Sequence, residues 1–174
     1  MVRPGCEVSA QELFPTIQVV GSHRFLGGVL GPATAQREFV QSKVEKWVDH
    51  VEDFSQCALE SPQAAYTAFT KSLQREWAYL QRVVMGCGEV NEPFKKVIQG
   101  KLTPAIVGRV PSQTELELFT LPVKLGGLQI EDPVTTSATA GRVSREATSL
   151  LVDSIVEGGP FLTVQIISSR SKQC

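Results

Sequence analysis

The stretch QVVGSHRFLGGVLG, Gln18 to Gly31, decides how the rest of the chain is read. Val19 and Val20 precede a Gly21-Ser22 pair, and Phe25, Leu26, Val29 and Leu30 follow it. Strand-type residues on either side of a Gly-Ser pair favour a tight hairpin turn. Gly31-Pro32 then ends the run. A two-stranded hairpin alone is marginal in water, so something must cover it, and the large supply of apolar surface lies downstream.

That downstream sequence has helical periodicity. Thr34 is a suitable N-cap for a helix reaching about Leu59, in which Val40, Val44, Trp47, Val48, Val51 and Phe54 recur at steps of three and four. Its other face mixes Lys43, Glu45, Lys46, Asp49, Glu52 and Asp53, the pattern of a solvated surface. Ser61-Pro62 restarts the chain as N-cap and first helical residue, and Ala65, Phe69, Leu73, Trp77, Leu80 and Val84 form the next stripe. So short a joint favours an antiparallel pair with both tryptophans buried.

Gly86 and Gly88 close that helix, and Asn91-Glu92-Pro93 opens a third that Gly100 is expected to interrupt, with a further turn from Thr103-Pro104 to Val107. Ser112-Gln113-Thr114-Glu115 is a capping box ahead of a brief helix stopped by Pro122. LPVKLGGLQI through Ile130 reads as an irregular apolar segment tied down by Gly126 and Gly127. Asp132-Pro133 begins a last helix whose expected core is Val143, Ala147, Leu150, Leu151 and Ile155. A short helix is expected at Val8 to Phe14, and an edge strand or loose apolar tail at Phe161 to Ile167. The fold class that follows is mainly α: a short N-terminal β-hairpin packed on a bundle of about four to five helices. Residues 1–31 form the hairpin region, 32–159 the helical domain, and 160–174 a poorly ordered tail.

Composition narrows the function. The 174 residues carry a formal charge of −1, but 60–109 hold seven Lys/Arg against four acids while 110–159 hold three against seven. A domain that holds nucleic acid unaided is normally plainly basic. The four cysteines are scattered without a C-x-x-C pair, and His23 and His50 stand apart, which argues against zinc and for reduced thiols. No run reaches the roughly 18 apolar residues of a membrane span, and acids stand near the start where a signal peptide needs an apolar core. An intracellular location, cytoplasmic or nuclear, is the expectation, with no cofactor and no membrane partner.

Nothing in the residues assembles a catalyst. Gly27-Gly28 and Gly31 lack the G-x-G-x-x-G pattern and the Lys-Ser/Thr of a phosphate-binding loop, and Pro32 removes an amide donor. Asp49 and Asp53 share a helix face with lysines, Glu131-Asp132 makes sense as a cap, and Ser169-x-x-Lys172 is a chance spacing in a polar tail. No nucleophile meets a general base, and no metal cluster forms.

With these residues laid out, the chain resembles the part of a retroelement reverse transcriptase that follows its catalytic aspartates. HRFLGGVLG resembles the F/Y-L-G hairpin called motif E or the primer grip. REFVQSKVEKWVDHVEDF, SPQAAYTAFTKSLQREWAYLQRVV, KLTPAIVGR and LPVKLGGLQIEDP extend the resemblance over about Phe14 to Ile155. The resemblance implies a hairpin that places the primer end and a thumb-like domain that grips the template-primer duplex. Phe25, Leu26 and Gly27 would then form the structural core of the grip, with His23 and Arg24 near the primer backbone. Arg75, Arg82, Lys95, Lys96, Lys101 and Arg109 would be candidates for sequence-independent phosphate contact.

The chain departs from that family at the chemistry: it has no Asp-Asp pair for the Tyr/Phe-x-Asp-Asp turn, and Met1 falls downstream of where that turn would sit. A truncated, non-catalytic fragment is expected, with a separate palm-bearing polypeptide as a partner and self-association wherever the hairpin's apolar face is left uncovered. The competing expectation is a small helical protein-interaction module without nucleic-acid binding.

Overall fold

The computed structural model describes residues 20–157 together with 12, 13, 15 and 16, apart from the side chain of Leu150. The fold is mainly helical with an antiparallel hairpin at its N-terminal side. The short helix expected at Val8 to Phe14 falls outside the described residues but for Glu12 and Leu13, which are helical, and the expected tail lies outside them altogether.

Helix α1 (Ala33–Glu60) buries Val40, Val44, Trp47, Val51, Ser55 and Ala58, the three-four spacing of one stripe. It begins after Pro32, so Thr34 lies inside its first turn instead of capping it, and Gln36 Nε2 donates to Gly31 O at 3.0 Å. Ser61 alone separates α1 from α2 (Pro62–Ala68), which runs through a π-helical turn, Phe69–Leu73, into α3 (Gln74–Val83). So short a joint turns the chain straight back, and a 2.8 Å ion pair from Lys43 to Glu76 ties α1 to α3.

A third helical run lies against this pair: α4 (Glu92–Val97), a π-helical turn Ile98–Leu102, and α5 (Thr103–Val107). Gly100 sits inside the π turn and does not interrupt the run as its propensity suggested. Packing of Phe94, Ile98 and Leu102 into the core outweighs the roughly 1 kcal/mol that a helical glycine costs. Phe94 joins the two buried tryptophans, with ring centroids 5.6 Å from Trp47 and 6.0 Å from Trp77. The tryptophans are buried as expected, each against this phenylalanine.

Helix α6 (Gln113–Thr120) carries the capping box in full: Glu115 N donates to Ser112 Oγ and Ser112 N to Glu115 Oε2. The chain then folds back on the end of α6, Ile130 N reaching Phe119 O at 3.1 Å and Gln129 N reaching Leu121 O at 2.9 Å. Gly127 makes this reversal possible, because a Cβ there would lie 2.1 Å from Leu121 O. Three side chains from the α2–α3 run hold the segment. Tyr66 Oη donates to Leu128 O, Gln74 Nε2 to Gln129 O and Gln81 Nε2 to Pro133 O, at 2.7, 3.0 and 2.6 Å.

Helix α7 (Pro133–Glu157) starts at a cap made by Asp132, whose Oδ1 accepts from Val134 N at 2.9 Å. It packs on α3, and a Cβ on Gly141 would come within 2.8 Å of Met85 Cγ. The expected core of this helix is corrected by the structure. Val143, Ala147, Leu151 and Ile155 are exposed, while the inward side is small: Ser137, half-buried, and Gly141, buried. Close approach of α7 to α3 selects small residues, and the larger apolar ones stay on the open face.

Candidate nucleic-acid interface

The hairpin is built one turn later than its Gly-Ser pair suggests. Strand β1 (His23–Phe25) pairs antiparallel with β2 (Gly28–Leu30), placing His23 opposite Leu30, Arg24 opposite Val29 and Phe25 opposite Gly28. The two-residue turn is therefore Leu26-Gly27, not Gly21-Ser22; Val20 precedes the strands, and Val19 lies outside the described residues. Leu26 has φ 46° and Gly27 φ 79°, the double positive φ of a tight hairpin turn that suits strand twist.

Docking explains why this register wins over local turn preference. Arg24 stacks its guanidinium over the Phe39 ring of α1 at 5.1 Å, a cation–π contact. On the other side, Tyr79 Oη donates to Leu26 O and its ring lies under Gly27, while Val83 lies close beneath Gly28. A turn at Gly21-Ser22 would shift the register and forfeit these contacts. Beyond the docked side, Phe25 and Leu26 project into solvent, Leu26 being 76% exposed.

Sequence pattern gave Val83 and Phe39 no role. A signal existed: Tyr79 and Val83 are an i, i+4 pair off the core stripe of Trp77, Leu80 and Val84, and such a second stripe marks a second docked element. Gln74 and Gln81 were missed too, although each falls beside that core stripe, seven residues apart. Their burial there requires acceptors and donors, which the 128–136 segment provides.

The eight candidate contact residues divide into two sets. His23 and Arg24 lie on β1, and Arg75 and Arg82 are exposed seven residues apart on α3, flanking Tyr79 on its face. The hairpin, Arg75 and Arg82 are thus brought together through Tyr79. Lys95, Lys96, Lys101 and Arg109 belong to the α4–α5 run and its exit, and three of them are engaged. Lys95 pairs with Asp132 at 2.8 Å and Lys101 with Glu52 at 2.6 Å. Arg109 donates from Nη1 and Nη2 to the two carboxylate oxygens of Glu115. Among the described residues Arg75, Arg82 and Lys96 have no ion-pair partner.

The engaged groups are electrostatically tuned to one another. The Arg109 hydrogen bond, helped by the amide and hydroxyl of Ser112, holds the Glu115 carboxyl down at about 2. Burial pushes Asp132 up, but the Lys95 ammonium and the amides of Val134 and Thr135 outweigh it and leave the carboxyl below its usual range. The hydrogen bond to Asp132 raises Lys95 in turn.

Two open grooves flank the assembly. One of about 560 Å³ lies between the hairpin and α1, with His23, Arg24, Glu38 and Phe39 in its walls. The other, of about 530 Å³, lies between α3 and α7. Among the described residues no group of three or more His, Cys, Asp or Glu is placed to hold a metal ion, and no helix is long and apolar enough to cross a membrane. No family model, curated protein or solved structure matches the chain.

Proposed function

We propose that the chain is the primer-grip hairpin and thumb-like helical region of a retroelement reverse transcriptase, truncated and non-catalytic by itself, that grips a template-primer duplex. The observation that carries this reading is the docking of the hairpin turn on Tyr79, midway between the exposed Arg75 and Arg82 on α3. A duplex lying on α3 meets both arginines and the projecting Phe25 and Leu26 at once. The contacts are to phosphate, so they are sequence-independent and weaken with salt. A palm-bearing polypeptide supplies the Asp-Asp pair that this chain lacks.

Fluorescence anisotropy with a recessed duplex, titrated at several salt concentrations, tests the reading. Binding whose logarithm falls linearly with the logarithm of salt concentration is expected, with the slope reduced by about two when Arg75 and Arg82 both become Ala. An unchanged slope counts against the assignment.

The exposed apolar residues of α7, Val143, Leu151, Val152, Ile155 and Val156, favour a second reading, a helical protein-interaction module. It is preferred if the chain shows no salt-dependent affinity for duplex at all.

A further inference from the structure

We propose that one strand of the bound nucleic acid runs along the groove between α3 and α7, between Arg82 and the uncharged side of α7, and that Glu131 at the groove's edge limits how tightly it is held. The inference rests on the duplex-gripping reading and adds the path of the strand.

Three features of the groove carry it. Arg82 lines it and has no ion-pair partner among the described residues, so its charge is available to a phosphate. Arg75 lies two turns earlier on the same exposed face of α3. The side of α7 that forms the opposite wall, including Ala140, Val143 and Ala147, contains no charged residue, although α7 carries Glu146, Asp153 and Glu157. All three acids lie off the groove, and Glu146 is paired with Arg142 at 2.8 Å. An acid-free wall facing the unpaired Arg82 suits a polyanion.

The exception inside the groove is Glu131, whose amide is held by Gln74 Oε1 at 3.3 Å. Its position is fixed by its backbone and not by its carboxylate, so Glu131→Gln keeps the fold and removes one repulsive charge. This gives a test in the direction of gain, which loss of folding cannot mimic.

Anisotropy with a recessed duplex at fixed low salt is measured for the full chain, Glu131→Gln, Ala147→Glu and Lys46→Ala, the last an exposed cation of α1 that does not line the groove, with circular dichroism confirming unchanged helicity. Tighter binding by Glu131→Gln, weaker binding by Ala147→Glu and little change in Lys46→Ala are expected. If neither groove substitution moves the affinity while Arg75→Ala/Arg82→Ala weakens it, the strand takes another path and the duplex-gripping reading stands without this one. If the unaltered chain binds no duplex, both fall.

Discussion

Tyr79 on α3 donates its hydroxyl to the carbonyl oxygen of Leu26 at the turn of the hairpin, a contact between residues 53 positions apart. The hairpin and the helical domain are therefore one surface. The bond is partly open to water, so its net worth is about 1 kcal/mol. Tyr79→Phe keeps the ring against Gly27 and removes the donor. Hydrogen exchange should show the hairpin amides opening about fivefold more often, with the amides of α1 unaffected.

Leu26 pays for its place in the turn. A non-glycine residue at positive φ costs about 1–2 kcal/mol, and this leucine is also largely exposed. Leu26→Asn produces the Asn-Gly pair that such turns prefer, and should stabilise the hairpin by about 1 kcal/mol, read as slower amide exchange. If exposure of Leu26 serves the grip, the same variant binds duplex less well while being better folded.

Phe94 is fully buried between Trp47 and Trp77 and links the third helical run to the first two. Phe94→Ala should cost about 3–5 kcal/mol in a denaturant melt and alter the tryptophan emission of the folded state.

The Glu115 carboxyl titrates at about 2, well below its value in an unfolded chain, because it accepts from Arg109 and Ser112. A depressed carboxylate contributes above its unfolded pKa and loses that contribution as pH falls through the folded one. The cap of α6 should accordingly be intact at neutral pH and weaken between about pH 4.5 and pH 2. A carbon-detected NMR titration reads the midpoint directly, and Arg109→Ala should move it upward.

Much of the helical frame was legible in the sequence because it rests on local signals. Ser112 and Glu115 form the capping box their spacing announced, Asp132-Pro133 opens α7, and the Trp47 and Trp77 stripes face inward. The misreadings lie where tertiary contact overrode propensity. Gly21-Ser22 looked like the turn, but Phe39, Tyr79 and Val83 reward the register with Leu26-Gly27 at its tip. The stripe from Val143 to Ile155 looked like core, yet close packing on α3 needed Gly141 instead. The cation cluster of 75–109 was visible only as a count; which members are already paired depends on Glu52, Glu115 and Asp132, distant or cross-helix partners that one-dimensional spacing does not reveal.

The most direct test compares two double variants that remove the same charge: Arg75→Ala/Arg82→Ala, beside the hairpin, and Lys101→Ala/Arg109→Ala, both already ion-paired. Duplex affinity is measured for each at one low salt concentration. The account predicts a loss on the order of tenfold or more for the first pair and less than about twofold for the second. Equal losses would mean that only net charge matters, and would contradict the claim that the hairpin and α3 form the gripping surface.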